Sequence, residues 1–154
     1  MIASNTMTGG GNNSMDGLWD RLMEQGGAMA SANKFVPDEV LMGLRMATRD
    51  QLNTLEFGVI KLDDQGVIQI YNRYESELAG VAPSQAEGKN FFTQIAPCTN
   101  NSLFYGAFKK GMSAGSLNVL FPYTFNYKMH PTNVKVHLYR DQMSKTNWVF
   151  VKKA

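Results

Sequence analysis

The spacing of hydrophobic positions along this chain changes near residue 56. Upstream of that point, apolar side chains recur at helical intervals in two segments, 16–25 and 36–52, and the first of these ends at Gly26 and Gly27. Pro37 lies where the second helix would begin, a position that proline favours. The pattern therefore predicts a helical region over 16–55.

Downstream of residue 56, apolar and polar residues alternate as they do in β-strands. FGVIKL, DDQG and VIQIYN predict a strand, a turn and a strand over 57–72. A helical middle over 73–115 follows and is closed by Gly115. SLNVLFPYTFNYKM, NVKVHLYRDQ and NWVFVKK predict three further strands. This order predicts an α+β fold of PAS type, a central antiparallel five-stranded sheet flanked by helices, with an N-terminal helical cap.

Three regions follow from these patterns. Residues 1–15 are rich in Gly, Asn and Ser, which predicts a flexible leader. Residues 16–55 form the predicted helical cap, and residues 56–154 form the predicted PAS-like sensory core.

Pro122 lies within a predicted strand and favours an edge position or a bulge. His137 alternates with neighbouring valines, so we expect it to face solvent.

Charge and hydropathy narrow the possible partners. Fifteen basic and 13 acidic residues give a net charge of +2, which offers no electrostatic reason to expect nucleic acid or an anionic membrane. No apolar run approaches the roughly 20 residues of a membrane-spanning helix. The N-terminal residues lack the basic and apolar regions of a signal peptide. We therefore expect a cytoplasmic protein.

Cys98 is the only cysteine, and it lies directly after Pro97 in an aromatic-rich stretch, GKNFFTQIAPCTNNSLFYGAF. A lone cysteine excludes an intrachain disulfide, and no cluster has the spacing of metal ligands. The residues alone leave two interpretations of Cys98 open, a small buried side chain or a covalent anchor. A cysteine hydrolase would need a base, and no spacing ties His130 or His137 to the thiol. We therefore predict no enzymatic activity.

A second candidate pair is Tyr71 and Glu75 in IYNRYESELAG. Tyr71 ends a predicted strand, and Glu75 follows four residues later in a predicted helical turn. At this separation a phenol and a carboxyl group can lie on one face. From the residues alone, two half-exposed surface side chains are the more common arrangement at the boundary of an element.

The chain resembles the photoactive yellow protein family of PAS-fold blue-light receptors. The resemblance runs from about Phe57 onward and rests on IYNRYE, GKNFFTQIAPCT, FYGAFKKG, YTFNYKM, VKVH and WVFVKK. It implies a covalently bound 4-hydroxycinnamic acid (p-coumaric acid) chromophore, held as a thioester on Cys98. It also implies that Tyr71 and a protonated Glu75 donate hydrogen bonds to the phenolate. The implied pocket walls are Phe91, Ala96, Pro97, Phe125, Tyr127 and Met129.

The family mechanism that this resemblance implies is trans–cis photoisomerisation, proton transfer from Glu75 and partial unfolding, read by an unidentified downstream signalling protein. The alternatives are a PAS ligand- or protein-binding module without a chromophore and a cysteine hydrolase.

The chain departs from the family pattern at three positions. Ala79 replaces a usual threonine, Val81 replaces a usual arginine, and His130 replaces a usual small hydroxyl residue. Absorption maximum and photocycle rates are therefore not implied.

Overall fold

The computed structural model describes residues 34–127 and 130–154. The predicted leader over 1–15, the helix predicted over 16–25 and Met129 lie outside the described residues. No helix within the described ranges has the length and hydropathy that crossing a lipid bilayer would require.

The second predicted helix is not continuous. Residues 36–52 instead form helix α1 (Asp38–Met42), a 3₁₀ turn (Leu44–Met46) and the start of helix α2 (Arg49–Asn53). Gly43 ends α1 with φ −101° and ψ 5°, outside the helical region. Thr48 then begins α2 as a capping box, because its hydroxyl accepts from the Gln51 N–H and the Gln51 side chain accepts from the Thr48 N–H. The prediction of one helix here is wrong.

The remaining elements are strands β1 (Gly58–Leu62) and β2 (Ile68–Tyr71), helices α3 (Arg73–Ala79), α4 (Pro83–Ala86) and α5 (Tyr105–Ala114), and strands β3 (Asn118–Tyr127), β4 (His130–Asp141) and β5 (Thr146–Lys153). A π-helical turn (Phe91–Ile95) and a 3₁₀ turn (Pro97–Thr99) join α4 to α5. Gly115 ends α5 in the left-handed conformation, at φ 74°. The predicted hairpin and the predicted glycine stop are confirmed.

The five strands form one antiparallel sheet in the order β2-β1-β5-β4-β3. This order confirms the predicted PAS-type α+β architecture. β3 is an edge strand, which explains why Pro122 is tolerated within it, since proline cannot donate a ladder hydrogen bond.

The main core lies on one face of the sheet. Val136, Leu138 and Val149 are fully buried there beneath the aromatic residues of the π-helical turn and α5. Phe92 and Tyr105 stack with their ring centroids 4.1 Å apart, and Phe104 meets Phe125 of β3 at 5.8 Å. These contacts fix the loop that carries Cys98 above the sheet.

The opposite face of the sheet is also apolar, which corrects the expectation for His137. His137 is only 2% exposed, and its ring lies 5.9 Å from Phe150 and 5.8 Å from Tyr139. Its Nε2 lies 2.6 Å from Asn118 Oδ1 on the neighbouring strand. Alternation in a strand indicates a solvent-facing side only when that side is uncovered, and here Trp148 is buried on it as well.

Candidate functional site

A cavity of about 480 Å³ opens between the sheet, α3 and the loop that carries Cys98. Its volume falls within the range of roughly 300–1,000 Å³ that is usual for small-molecule pockets. Its lining residues are Tyr71, Glu75, Ala79, Val81, Phe91, Ile95, Ala96, Pro97, Cys98, Phe125, Asn126 and Tyr127.

This lining includes eight of the nine predicted site residues, and Met129 is the one outside the described residues. Ala79 and Val81, two of the positions at which the sequence departs from the pattern it resembles, also line the cavity. The sequence patterns gave no reason to include Ile95 or Asn126. The structure thus brings the predicted residues together, and their contact with a ligand stays a prediction.

The buried side-chain amide of Asn72 holds the start of α3, which carries Glu75, against β1 and α2. Its carbonyl oxygen accepts from the backbone N–H of Val59 at 2.9 Å and of Glu75 at 3.2 Å. Its amide nitrogen donates to the backbone carbonyls of Leu52 at 2.8 Å and Phe57 at 3.1 Å. Asn72 is therefore both the N-cap of α3 and a link to β1 and α2.

Glu75 is a carboxyl group almost without access to water, with 1% of its surface exposed. The Tyr127 hydroxyl donates a hydrogen bond of 3.0 Å to its Oε2. Its Oε1 has no hydrogen-bond partner among residues 34–127 and 130–154. A methyl group added at Gly58 would collide with Oε1, so the glycine in β1 makes the space that this carboxyl group occupies.

Burial changes the proton affinity of Glu75. Desolvation raises its pKa from 4.5 to about 8, and the Tyr127 hydrogen bond acts in the opposite, lowering direction. The group is therefore mostly protonated at neutral pH. A protonated carboxyl group can donate a hydrogen bond as well as accept one.

The two cavity phenols are also kept protonated. Burial raises the pKa of Tyr71 above its ordinary value, and the nearby Glu75 raises it further. Burial likewise raises the pKa of Tyr127, with additional contributions from Glu75. At neutral pH the site therefore offers hydroxyl donors in an environment of low polarity.

Cys98 lies on the 3₁₀ turn Pro97–Thr99 and is partly buried. Its backbone carbonyl accepts from the Tyr123 hydroxyl at 2.6 Å and from the Asn101 side-chain amide at 3.1 Å. Thr99 fastens the same turn by donating its hydroxyl to the Ala96 carbonyl at 2.6 Å. The thiol is therefore presented from a turn that three side chains hold in place.

The supporting roles of Tyr123, Asn101 and Thr99 were not predicted. Tyr123 lies on the same face of β3 as Phe125 and Tyr127, so its place in the alternation was the available signal. Asn101 gave no signal, because a lone asparagine after a turn is common in any loop.

Neither histidine lies with Cys98 at the cavity. His130 is exposed at the start of β4, and His137 is buried on the opposite face of the sheet. Within the part of the chain that the structure describes, no group of three His, Cys, Asp or Glu side chains could hold a metal ion. The arrangement offers a thiol without a histidine beside it, and so it does not favour a cysteine hydrolase.

Comparison with known proteins shows similarity in both fold and sequence. The family model for the PAS fold matches residues 48–147. The photoactive yellow protein of Rhodothalassium salexigens is 43% identical over 120 residues, which cover 78% of this chain and 96% of that protein. The photoactive yellow protein of Halochromatium salexigens is 40% identical over 119 residues, covering 77% and 95%.

A solved structure shows the same similarity in three dimensions. The photoactive yellow protein domain of the sensor histidine kinase Ppr from Rhodospirillum centenum superposes with a TM-score of 0.70 and is 35% identical. The superposition covers 73% of this chain and 99% of that domain. The shared region therefore includes nearly all of that domain.

Proposed function

This chain belongs to the photoactive yellow protein family of PAS-fold photoreceptors, whose members are not enzymes, and on that premise we propose that it is a blue-light receptor with a 4-hydroxycinnamoyl group bound as a thioester to Cys98. Membership in the family implies a chromophore. The observation that supports this particular chromophore is the cavity, which is lined both by the sole thiol of the chain and by a buried, protonated carboxyl group.

The residues of the cavity fit such a group. An aromatic acid with one phenol needs an apolar slot, a thiol at one end and hydroxyl donors for the phenol. Phe91, Ala96, Pro97, Phe125 and Tyr127 supply the apolar walls, and Met129 is a further predicted wall.

The polar groups of the cavity fit the phenol end. Tyr71 and Glu75 are the two donors we assign to it. Tyr127 already donates to Glu75 Oε2, whereas Oε1 has no partner within the described residues 34–127 and 130–154. Oε1 is therefore the oxygen that can carry the donated proton. An orphaned buried oxygen costs free energy unless a partner meets it, and a bound phenolate would be that partner.

When bound, the 4-hydroxycinnamoyl group supplies absorption of blue light and a reversible trans–cis isomerisation. The protein's part is to stabilise a buried anion, which would cost several kcal/mol without charge-assisted hydrogen bonds. The raised pKa of Glu75 keeps a proton on its carboxyl group in the dark, and we assign Glu75 as the proton donor after illumination.

Loss of that proton would leave a carboxylate in a site that burial makes unfavourable for charge. Its free-energy cost, several kcal/mol, is a large part of the roughly 5–15 kcal/mol that stabilises a domain. Partial unfolding is the proposed relief and the proposed signal. A downstream signalling protein as the receiver and a cytoplasmic location are further parts of this proposal.

The test is reconstitution with activated p-coumaric acid. We expect a visible absorption band that bleaches in blue light and recovers in the dark, and one 4-hydroxycinnamoyl adduct by intact-protein mass spectrometry. Cys98→Ala should show neither the band nor the adduct. Cys98→Ser, which keeps a small polar side chain, is the matched control for pocket shape. A colourless wild-type protein, or an adduct that persists in Cys98→Ala, would refute the assignment.

A further inference from the structure

Strand β2 has an outer edge that is closed by the segment 87–89. The Ile68 N–H donates to the Lys89 carbonyl at 2.9 Å, and the Gly88 N–H donates to the Ile68 carbonyl at 2.8 Å. Further along the same edge, the Tyr71 N–H donates to Oε2 of the Glu87 side chain at 3.1 Å. A carboxylate thus takes the place of a strand partner at the last residue of β2.

The same oxygen of Glu87 binds a second group. Arg49, the first residue of α2, approaches Glu87 Oε2 with its Nη1 at 2.5 Å. The two side chains are 51% and 24% exposed, so the ion pair is accessible to solvent ions. One carboxylate oxygen therefore joins α2 to the backbone of Tyr71, which lines the cavity.

Two other contacts tie α2 to the end of β2. The Asn72 amide donates to the Leu52 carbonyl at 2.8 Å, and the Arg73 N–H donates to Asn53 Oδ1 at 2.8 Å. These are neutral hydrogen bonds, which ions in solution screen little. Of these three contacts between α2 and the end of β2, the one through Glu87 is ionic, and it is also the one that reaches the backbone of Tyr71.

We propose that Glu87 is a positioning residue that couples the docking of α2 to the position of Tyr71, and that ionic strength adjusts this coupling through the exposed Arg49 pair. Its consequence for light reception rests on the function proposed above, whereas the coupling itself is a property of the protein without dye. Exposed ion pairs contribute modestly to stability. Loss of the Arg49 charge should therefore change the equilibrium constant for local opening at the Tyr71 amide by about twofold to fivefold. Loss of the Glu87 acceptor leaves the Tyr71 N–H unpaired and should have a larger effect, about tenfold or more.

The first experiment measures amide hydrogen exchange residue by residue, by NMR, on the protein without dye. Arg49→Gln should speed exchange of the Tyr71 amide about twofold to fivefold at low salt. At about 1 M NaCl the Debye length is roughly 3 Å, so the attraction between Arg49 and Glu87 is weakened. The Tyr71 amide of the wild-type protein should then exchange at nearly the rate seen in Arg49→Gln. Glu87→Ala should give the larger increase, and Glu87→Gln, which keeps a neutral acceptor, an intermediate one.

Asp64→Asn is the matched control. Asp64 Oδ1 lies 2.9 Å from Arg140 Nη1 in the other ion pair described. The substitution removes the charge of this carboxylate and leaves Glu87 unchanged. Exchange at Tyr71 should not change in this variant. If Arg49→Gln and added salt both leave the Tyr71 amide unchanged, or if Asp64→Asn changes it equally, the coupling is refuted.

The second experiment uses the dye-loaded protein and separates this inference from the proposed function. The rate of dark recovery should depend on salt in the wild type and should lose most of that dependence in Arg49→Gln. A wild type that takes up no dye would refute the proposed function, and the exchange experiment would still decide the coupling. A dye-loaded protein whose recovery responds to salt equally with and without Arg49 would refute the coupling alone.

Discussion

Replacing Glu75 by glutamine should remove most of the pH dependence of stability that the protein shows between mildly acidic and mildly alkaline solution. Burial raises the pKa of Glu75 from 4.5 to about 8 in the folded protein. In that interval the folded state keeps a proton that the unfolded state has released. The free energy of unfolding must therefore fall as pH rises, with the contribution complete below the unfolded pKa and lost above the folded one.

The size of the effect follows from the width of that interval. A difference of one pH unit corresponds to about 1.4 kcal/mol when one proton separates the two states. From 4.5 to about 8 the loss is therefore on the order of 5 kcal/mol. Since whole domains are stabilised by roughly 5–15 kcal/mol, an effect of this size is readily measured.

The assay is urea unfolding of the dye-free protein at a series of pH values, with the free energy of unfolding extrapolated to water. Glutamine cannot titrate, and it retains a donor and an acceptor of similar shape. Glu77→Gln is the matched control, because Glu77 lies on the same helix but is exposed. The wild type and the control should lose stability in parallel as pH rises, while Glu75→Gln should stay nearly constant.

Parallel curves for the wild type and Glu75→Gln would refute the reasoning. They would mean that the carboxyl group is hydrated in the folded state, so that its ionisation costs little. The proposal that burial keeps a proton on Glu75 would then be wrong, whatever dye the protein binds.

Three further predictions concern neighbouring residues. Gly58→Ala should lower stability by about 1–3 kcal/mol in urea unfolding, because the added methyl group collides with Glu75 Oε1; an unchanged midpoint would mean that the carboxyl group moves freely. Tyr71→Phe removes a donor that we propose for the phenolate, so a pH titration of the visible band should show a raised dye pKa, and an identical titration would exclude that contact. Tyr123→Phe should cost about 1 kcal/mol in thermal unfolding through the lost bond to the Cys98 carbonyl, and no loss would mean that Asn101 suffices.

The sheet could be predicted because its strands carry their own pattern. Alternation predicted the strand β3, and Pro122 predicted an edge position or a bulge, of which the structure has the edge. The break at Gly43 could not be read in the same way, because α1 and α2 are too short for periodicity to separate them from one helix. The burial of His137 depended on what covers the second face, which one strand's pattern does not reveal.

The candidate site was predictable only in part. A separation of four positions between Tyr71 and Glu75 permits convergence, but the hydrogen bonds of Asn72 place Glu75, and its four partners are scattered along the chain. The hydrogen bond from Tyr127 to Glu75 joins residues 52 positions apart, and no local spacing encodes it. The contact of Glu87 with Arg49 likewise spans 38 positions. Such pairings are products of the whole fold.

The position of β5 in the sheet has a consequence for biosynthesis. β5 is the last of the five strands to leave the ribosome, yet it lies in the middle of the sheet, between β1 and β4. The two hairpins made earlier cannot join into one sheet until residues 146–153 have been translated. Assembly of the sheet depends on contacts between distant parts of the chain, which form slowly. Loading of any prosthetic group at Cys98 is then expected after translation rather than during it, and nascent chains stalled before residue 146 should accept none.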